Sequence, residues 1–96
     1  MRILDAAERD PEDGYRFYER QSPGLGSYFL DSLYSDIDSL SYFGGIHRLV
    51  FGYHRLLSKR FPFAVYYQLV EDVVKVKAVL DCRRNPSWIR EKLMKG

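Results

Sequence analysis

Residues 60–70 read Arg60-Phe61-Pro62-Phe63-Ala64-Val65-Tyr66-Tyr67-Gln68-Leu69-Val70. Aromatic and β-branched residues alternate here with a period of two. Phe61, Phe63, Val65, Tyr67 and Leu69 point one way, and Ala64, Tyr66 and Gln68 the other. Pro62 has no N–H for a ladder, so it marks the start of the strand. Glu71-Asp72 forms a tight polar turn. Val74, Val76, Ala78 and Leu80 then alternate with Lys75, Lys77 and Val79, which predicts a half-buried partner strand with a basic outer face. A preceding strand over about residues 53–58 completes an antiparallel meander.

Upstream the period changes. Residues 2–4 suggest a short strand, extending at most to Ala7. Asp10-Pro11-Glu12-Asp13 combines an N-cap acid, proline at the first helical position and acids in the first turn, so a helix is expected from there to about Gln21. Tyr15 and Tyr18 share one face, with Arg16, Glu19 and Arg20 in water. Ser22-Pro23 repeats the start signal for a second helix over about residues 23–41. Phe29, Leu33, Ile37 and Leu40 form its apolar stripe. So short a link predicts an antiparallel helix hairpin. Gly44-Gly45 ends the helical part. Downstream of the meander, Asn85 caps a short basic helix opening at Pro86, with Trp88, Ile89 and Leu93 as its apolar side. The expected fold is α+β, in the order β-α-α-β-β-β-α, with the hairpin on one sheet face. Lys75, Lys77 and Tyr66 are expected on the other face or at its edge.

The 96 residues are expected to form one domain. With 46% hydrophobic and 16% aromatic residues they are rich enough for a core, which argues against a disordered segment. No apolar run approaches a membrane span, no signal peptide is evident, and the single cysteine, Cys82, has no internal partner for a disulfide. A soluble cytoplasmic protein is expected. The net charge of +2 hides a split. Residues 1–40 hold four bases and nine acids, a net of −5; residues 41–96 hold eleven bases and four acids, a net of +7. Either the halves attract each other or the basic half meets an anionic partner.

Several segments taken together resemble the RelE/ParE superfamily, the toxins of bacterial type II toxin–antitoxin modules, also described as plasmid stabilization proteins. They are Tyr15, Phe17 and Tyr18 in the first helix, Pro23-Gly24-Leu25-Gly26 with Phe29, Arg60-Phe61-Pro62-Phe63 with Tyr66-Tyr67, and Ala78-Val79-Leu80-Asp81 with Arg83-Arg84-Asn85-Pro86. The resemblance covers about residues 4–88. It implies a growth-arresting protein held inactive by a cognate antitoxin. One branch, RelE-like, cleaves ribosome-bound mRNA; the other, ParE-like, inhibits DNA gyrase.

Metal-free RNA cleavage needs a base, an acid and cations around the phosphate. The resemblance aligns Phe63 with a basic residue of the nuclease branch, and Asp81-Cys82 with the place where a histidine is often found. The ParE-like reading is therefore favoured, with a nuclease or a degenerate non-toxic member as alternatives. No catalytic residue is assigned. Arg55, Arg60, Tyr66, Arg83 and Arg84 are the expected target-binding residues, and Tyr15, Tyr18, Lys75 and Lys77 the expected antitoxin contacts. His47 and His54 read as surface or strand residues. No cofactor and no metal is expected, since no His, Cys or Asp cluster has ligand spacing.

Overall fold

The computed structural model describes the backbone of residues 2, 3 and 5–94 and the side chains of residues 11–94. The chain is α+β. Strands β2 (Leu49–Val50), β3 (Tyr53–Leu57), β4 (Phe63–Val70) and β5 (Val73–Asp81) form an antiparallel sheet, and β1 (Arg2–Ile3) adds to β5 in parallel. The strand order is β1-β5-β4-β3-β2. Helices α1 (Asp5–Gln21), α2 (Leu25–Asp38) and the short α3 (Leu40–Phe43) lie between β1 and β2, and α4 (Pro86–Met94) follows β5.

The β4–β5 ribbon forms over the residues where the alternation places it. Glu71 and Asp72 both take positive φ, at 49° and 64°, the geometry of a two-residue hairpin turn. Phe51 and Gly52 repeat it at 53° and 84°, and so add β2, a strand the alternation does not announce. Expected and observed bounds of β3 and β4 agree closely.

Four features differ from expectation. First, α1 begins at Asp5, not at Pro11, and Pro11 lies inside it. Ala6, Ala7, Glu8 and Arg9 are good helix formers, and they carry the helix into Pro11 even though an interior proline lacks its backbone donor and crowds the carbonyl four residues back. Leu4, the expected end of the first strand, lies outside the described residues. Second, α2 begins at Leu25 behind Gly24, whose φ is 87°, and not behind Ser22. The cap comes from another helix: the Glu19 carboxylate of α1 accepts the N–H of Gly24 at 3.1 Å and of Gly26 at 3.0 Å. Glu19 is thus half-buried rather than wet. Third, the second helix breaks at Ser39. Its hydroxyl donates to the Asp36 carbonyl at 2.5 Å, a local bond that competes with the helical ladder.

The fourth is a bulge in β5. Tyr66 pairs with Ala78 but Tyr67 pairs with Val76, so Lys77 is an extra residue. Val74 and Val76 therefore face the hairpin side, whereas Ala78 and Leu80 face the opposite side and Val79 returns to the first. A single apolar face along β5, as alternation alone predicts, does not exist.

Each sheet face carries its own core. On one, Phe63, Val65, Tyr67, Val74, Val76 and Val79 pack with Tyr18 of α1, with Phe29, Leu33 and Ile37 of α2, and with Leu40. Tyr18, Phe29, Phe61 and Phe63 form an aromatic group with neighbouring centroids 4.7–6.3 Å apart. Glycine lets the helices approach: a Cβ at Gly26 would lie 2.7 Å from the Tyr15 carbonyl oxygen, and one at Gly14 would lie 2.5 Å from the Phe29 ring. On the other face, Ala64, Tyr66, Ala78 and Leu80 pack under Ile89 and Leu93 of α4. The face expected to display Tyr66 is therefore covered there. Among the described residues no helix is long and apolar enough to cross a membrane.

Candidate functional site

The exit of β5 is shaped by three local bonds. The Arg83 guanidinium donates to both Asp81 carboxylate oxygens, Nε at 3.1 Å and a terminal nitrogen at 2.8 Å, and the Arg83 backbone N–H adds a third bond at 2.8 Å. These bonds outweigh partial burial and hold the Asp81 carboxyl below the usual carboxylate range. The Cys82 N–H donates to the Pro62 carbonyl at 2.9 Å, tying the exit to the start of β4. Asn85 then caps α4 as expected, accepting the Ser87 N–H at 2.8 Å.

Beside this exit lies a cleft of about 320 Å3. Phe63, Val79 and Leu80 make its floor, Asp13 and Phe17 of α1 one wall, and Trp88 of α4 the other, with Arg83, Arg84 and Lys92 at the rim. Arg84 sits over the Trp88 ring, 4.6 Å from its centroid, and the Lys92 ammonium lies 5.4 Å from the same point. Cys82 is exposed next to the cleft.

The expected target-binding residues do not all meet there. Arg83 and Arg84 do. Arg60 belongs to a separate hollow with Tyr28, Asp31, Ser35 and Lys59, where it hydrogen-bonds the Tyr28 hydroxyl and lies over its ring. Arg55 is on β3, directly opposite Tyr66. Tyr66 itself is 1% exposed beneath α4, so stacking on an incoming base is not open to it. Burial pushes its phenol pKa up, against the charge and hydrogen bond of Arg55. Of the expected antitoxin contacts, Tyr18 is buried in the aromatic group and Tyr15 is half-buried against Gly26. Burial raises the Tyr18 pKa, against the charge of nearby Arg83. Lys75 and Lys77 lie half-buried on β5.

A second constellation sits at the other end of the ribbon, and sequence reasoning missed it. The buried Tyr67 hydroxyl accepts the Gly45 N–H at 2.9 Å and meets His47 Nδ1 at 2.5 Å. The hydroxyl has a donor and a second lone pair left after Gly45, so it can pair with Nδ1 in either tautomer of neutral His47. His54 Nδ1 donates to the His47 carbonyl at 2.6 Å, and the His54 ring stacks on Tyr67 with centroids 5.1 Å apart. Burial, and then His54, lowers the His47 pKa. The signal was present in Phe51-Gly52: a two-residue turn there registers Leu49 against His54 and brings His47 close. Among the described residues no group of three His, Cys, Asp or Glu side chains could hold a metal ion.

Compared with models of known protein families the chain matches none, and a comparison with curated proteins gives no match.

Proposed function

We propose that the chain is the toxin component of a bacterial type II toxin–antitoxin module, of the ParE-like branch, which inhibits DNA gyrase and is neutralised by a cognate antitoxin. Support for this RelE/ParE-like topology comes from the element order, with a helix hairpin on one face of the sheet and a short helix after β5. The observation that carries the ParE-like choice is the composition of the β4–β5 end. Phe63 belongs to the core, and Asp81 is ion-paired and held deprotonated by Arg83, so neither supplies the proton-donating group that RNA cleavage needs. An exposed arginine pair beside a cleft lined in part by Phe17 and Trp88 suits gripping a macromolecule. Induction of the chain in a bacterium is expected to arrest growth, co-expression of the antitoxin to restore it, and purified protein to block gyrase supercoiling. Codon-dependent cuts in ribosome-bound mRNA with supercoiling intact would reverse the choice of branch. Normal growth with folded protein present would leave the degenerate, non-toxic alternative.

A further inference from the structure

Arg83 and Arg84 are adjacent in sequence but differ in their electrostatic state. Arg83 is neutralised by a two-pronged pair with Asp81. Among the described residues neither Arg84 nor Lys92 forms an ion pair; both rest over the Trp88 indole. A cation over a ring gains attraction without using its N–H donors, so both keep donors for an anion. Between them and α1 lies the cleft, whose lining mixes charged with apolar side chains and includes Phe17, which is 48% exposed.

We infer that this cleft docks an acidic protein segment: one apolar side chain of that segment enters between Phe17, Phe63 and Trp88, and its flanking carboxylates pair with Arg84 and Lys92. Charge selects the sign of the partner, because the half of the chain that supplies this rim carries +7. The choice of protein over nucleic acid follows from the indole. Two cations already occupy the ring on which a base would stack, and Phe17, Phe63 and Val79 within the mixed lining can accept an anchor side chain. Among the described residues Asp13 is the other acid of the lining, and it is on the α1 wall, away from Arg84 and Lys92 at the rim. Neither toxicity nor a gyrase target is needed for such docking, so the two readings fail separately.

Trp88 is the chain's one tryptophan, so its emission reports on the cleft. The probes are short Asp/Glu-rich peptides carrying a single Leu, Ile or Phe, their Asn/Gln-rich counterparts, and a short single-stranded RNA. The acidic peptides should shift the Trp88 emission, and binding should weaken as salt rises. Arg84→Glu with Lys92→Glu should lower affinity by roughly tenfold or more. Phe17→Ser should weaken binding too, whereas Arg90→Glu, on the same helix outside the cleft, should stay within about twofold. If the double reversal lowers the melting temperature, Lys92→Gln alone carries the comparison. Equal binding of the neutral peptides, binding of RNA but not of acidic peptides, or no emission shift with any peptide at millimolar concentration would each overturn the inference. Growth assays on the same variants report the toxin reading independently.

Discussion

The two ends of the β4–β5 ribbon are built on opposite terms. At the end holding Phe63 and Asp81, charges sit at the surface. Asp81 pairs with Arg83, and Arg84 and Lys92 rest on an indole. At the end holding Tyr67, a fully buried hydroxyl satisfies one backbone N–H and one imidazole, and a second imidazole stacks on its ring. The first arrangement can be altered with little strain because water compensates lost bonds. The second cannot, since a deleted partner leaves polar groups stranded. Surface charge is therefore free to serve binding at one end, while the other end serves the fold.

Four measurements test this division. The largest effect is expected for Tyr67→Phe, which strands the Gly45 N–H and His47 Nδ1. Chemical denaturation should show a loss of about 1–3 kcal/mol, and an unchanged midpoint would remove the network from the stability account. Asn85→Ala removes the cap that sets α4 on its face, and should cost about 1 kcal/mol. The double substitution Arg83→Ala with Arg84→Ala removes two exposed guanidinium groups and leaves the Asp81 carboxylate its bond from the residue 83 N–H. Its stability should stay within about 0.5 kcal/mol of the parent, with growth arrest lost. A sharply lowered melting temperature would show that these arginines serve the fold, and retained toxicity would remove them from the target site.

The smallest effect is expected in the pH dependence, because the titrating groups at both ends are partly exposed, and it separates the ends by pH window. The His47 pKa is lower in the folded chain than the ordinary value of about 6.5, so the unfolded chain binds the extra proton first. That contribution is complete above about pH 6.5 and declines as pH falls below it. Asp81 is also lowered, so its contribution is present above the ordinary carboxylate value of about 3.9 and fades only below it. His47→Gln should flatten the first window alone, and Asp81→Asn the second alone. A single slope lost in both variants would mean that the ends are coupled.

Much of this was legible in the sequence, for local reasons. The alternation from Phe61 to Leu69, the Glu71-Asp72 turn, the stripe Phe29–Leu33–Ile37–Leu40 and the Asn85 cap each depend on neighbours within a few positions. What escaped depends on distant partners. Glu19 caps a helix it does not belong to. Tyr66 looked outward-facing until α4 covered it. The candidate cleft was half legible: Arg83 and Arg84 announce themselves by charge, but Phe17, Trp88 and Lys92 join them only once α1 and α4 flank β5.

The extra residue at Lys77 acts as a phase shift in the strand. Delete it, and Ala78 would follow Val76 directly, opposite Tyr66, so Ala78 and Leu80 would keep the α4 face and Val79 the face under α1 and α2. Delete Val79 instead, in the regular stretch beyond the bulge, and Leu80 would turn toward α1 and α2. The chain would then leave the sheet half a pleat out of step, directing Asn85 and the helix it starts away from the seat made by Ala64 and Tyr66. Removing Lys77 should thus leave in its seat an element that begins at Pro86, whereas removing Val79 should unseat it.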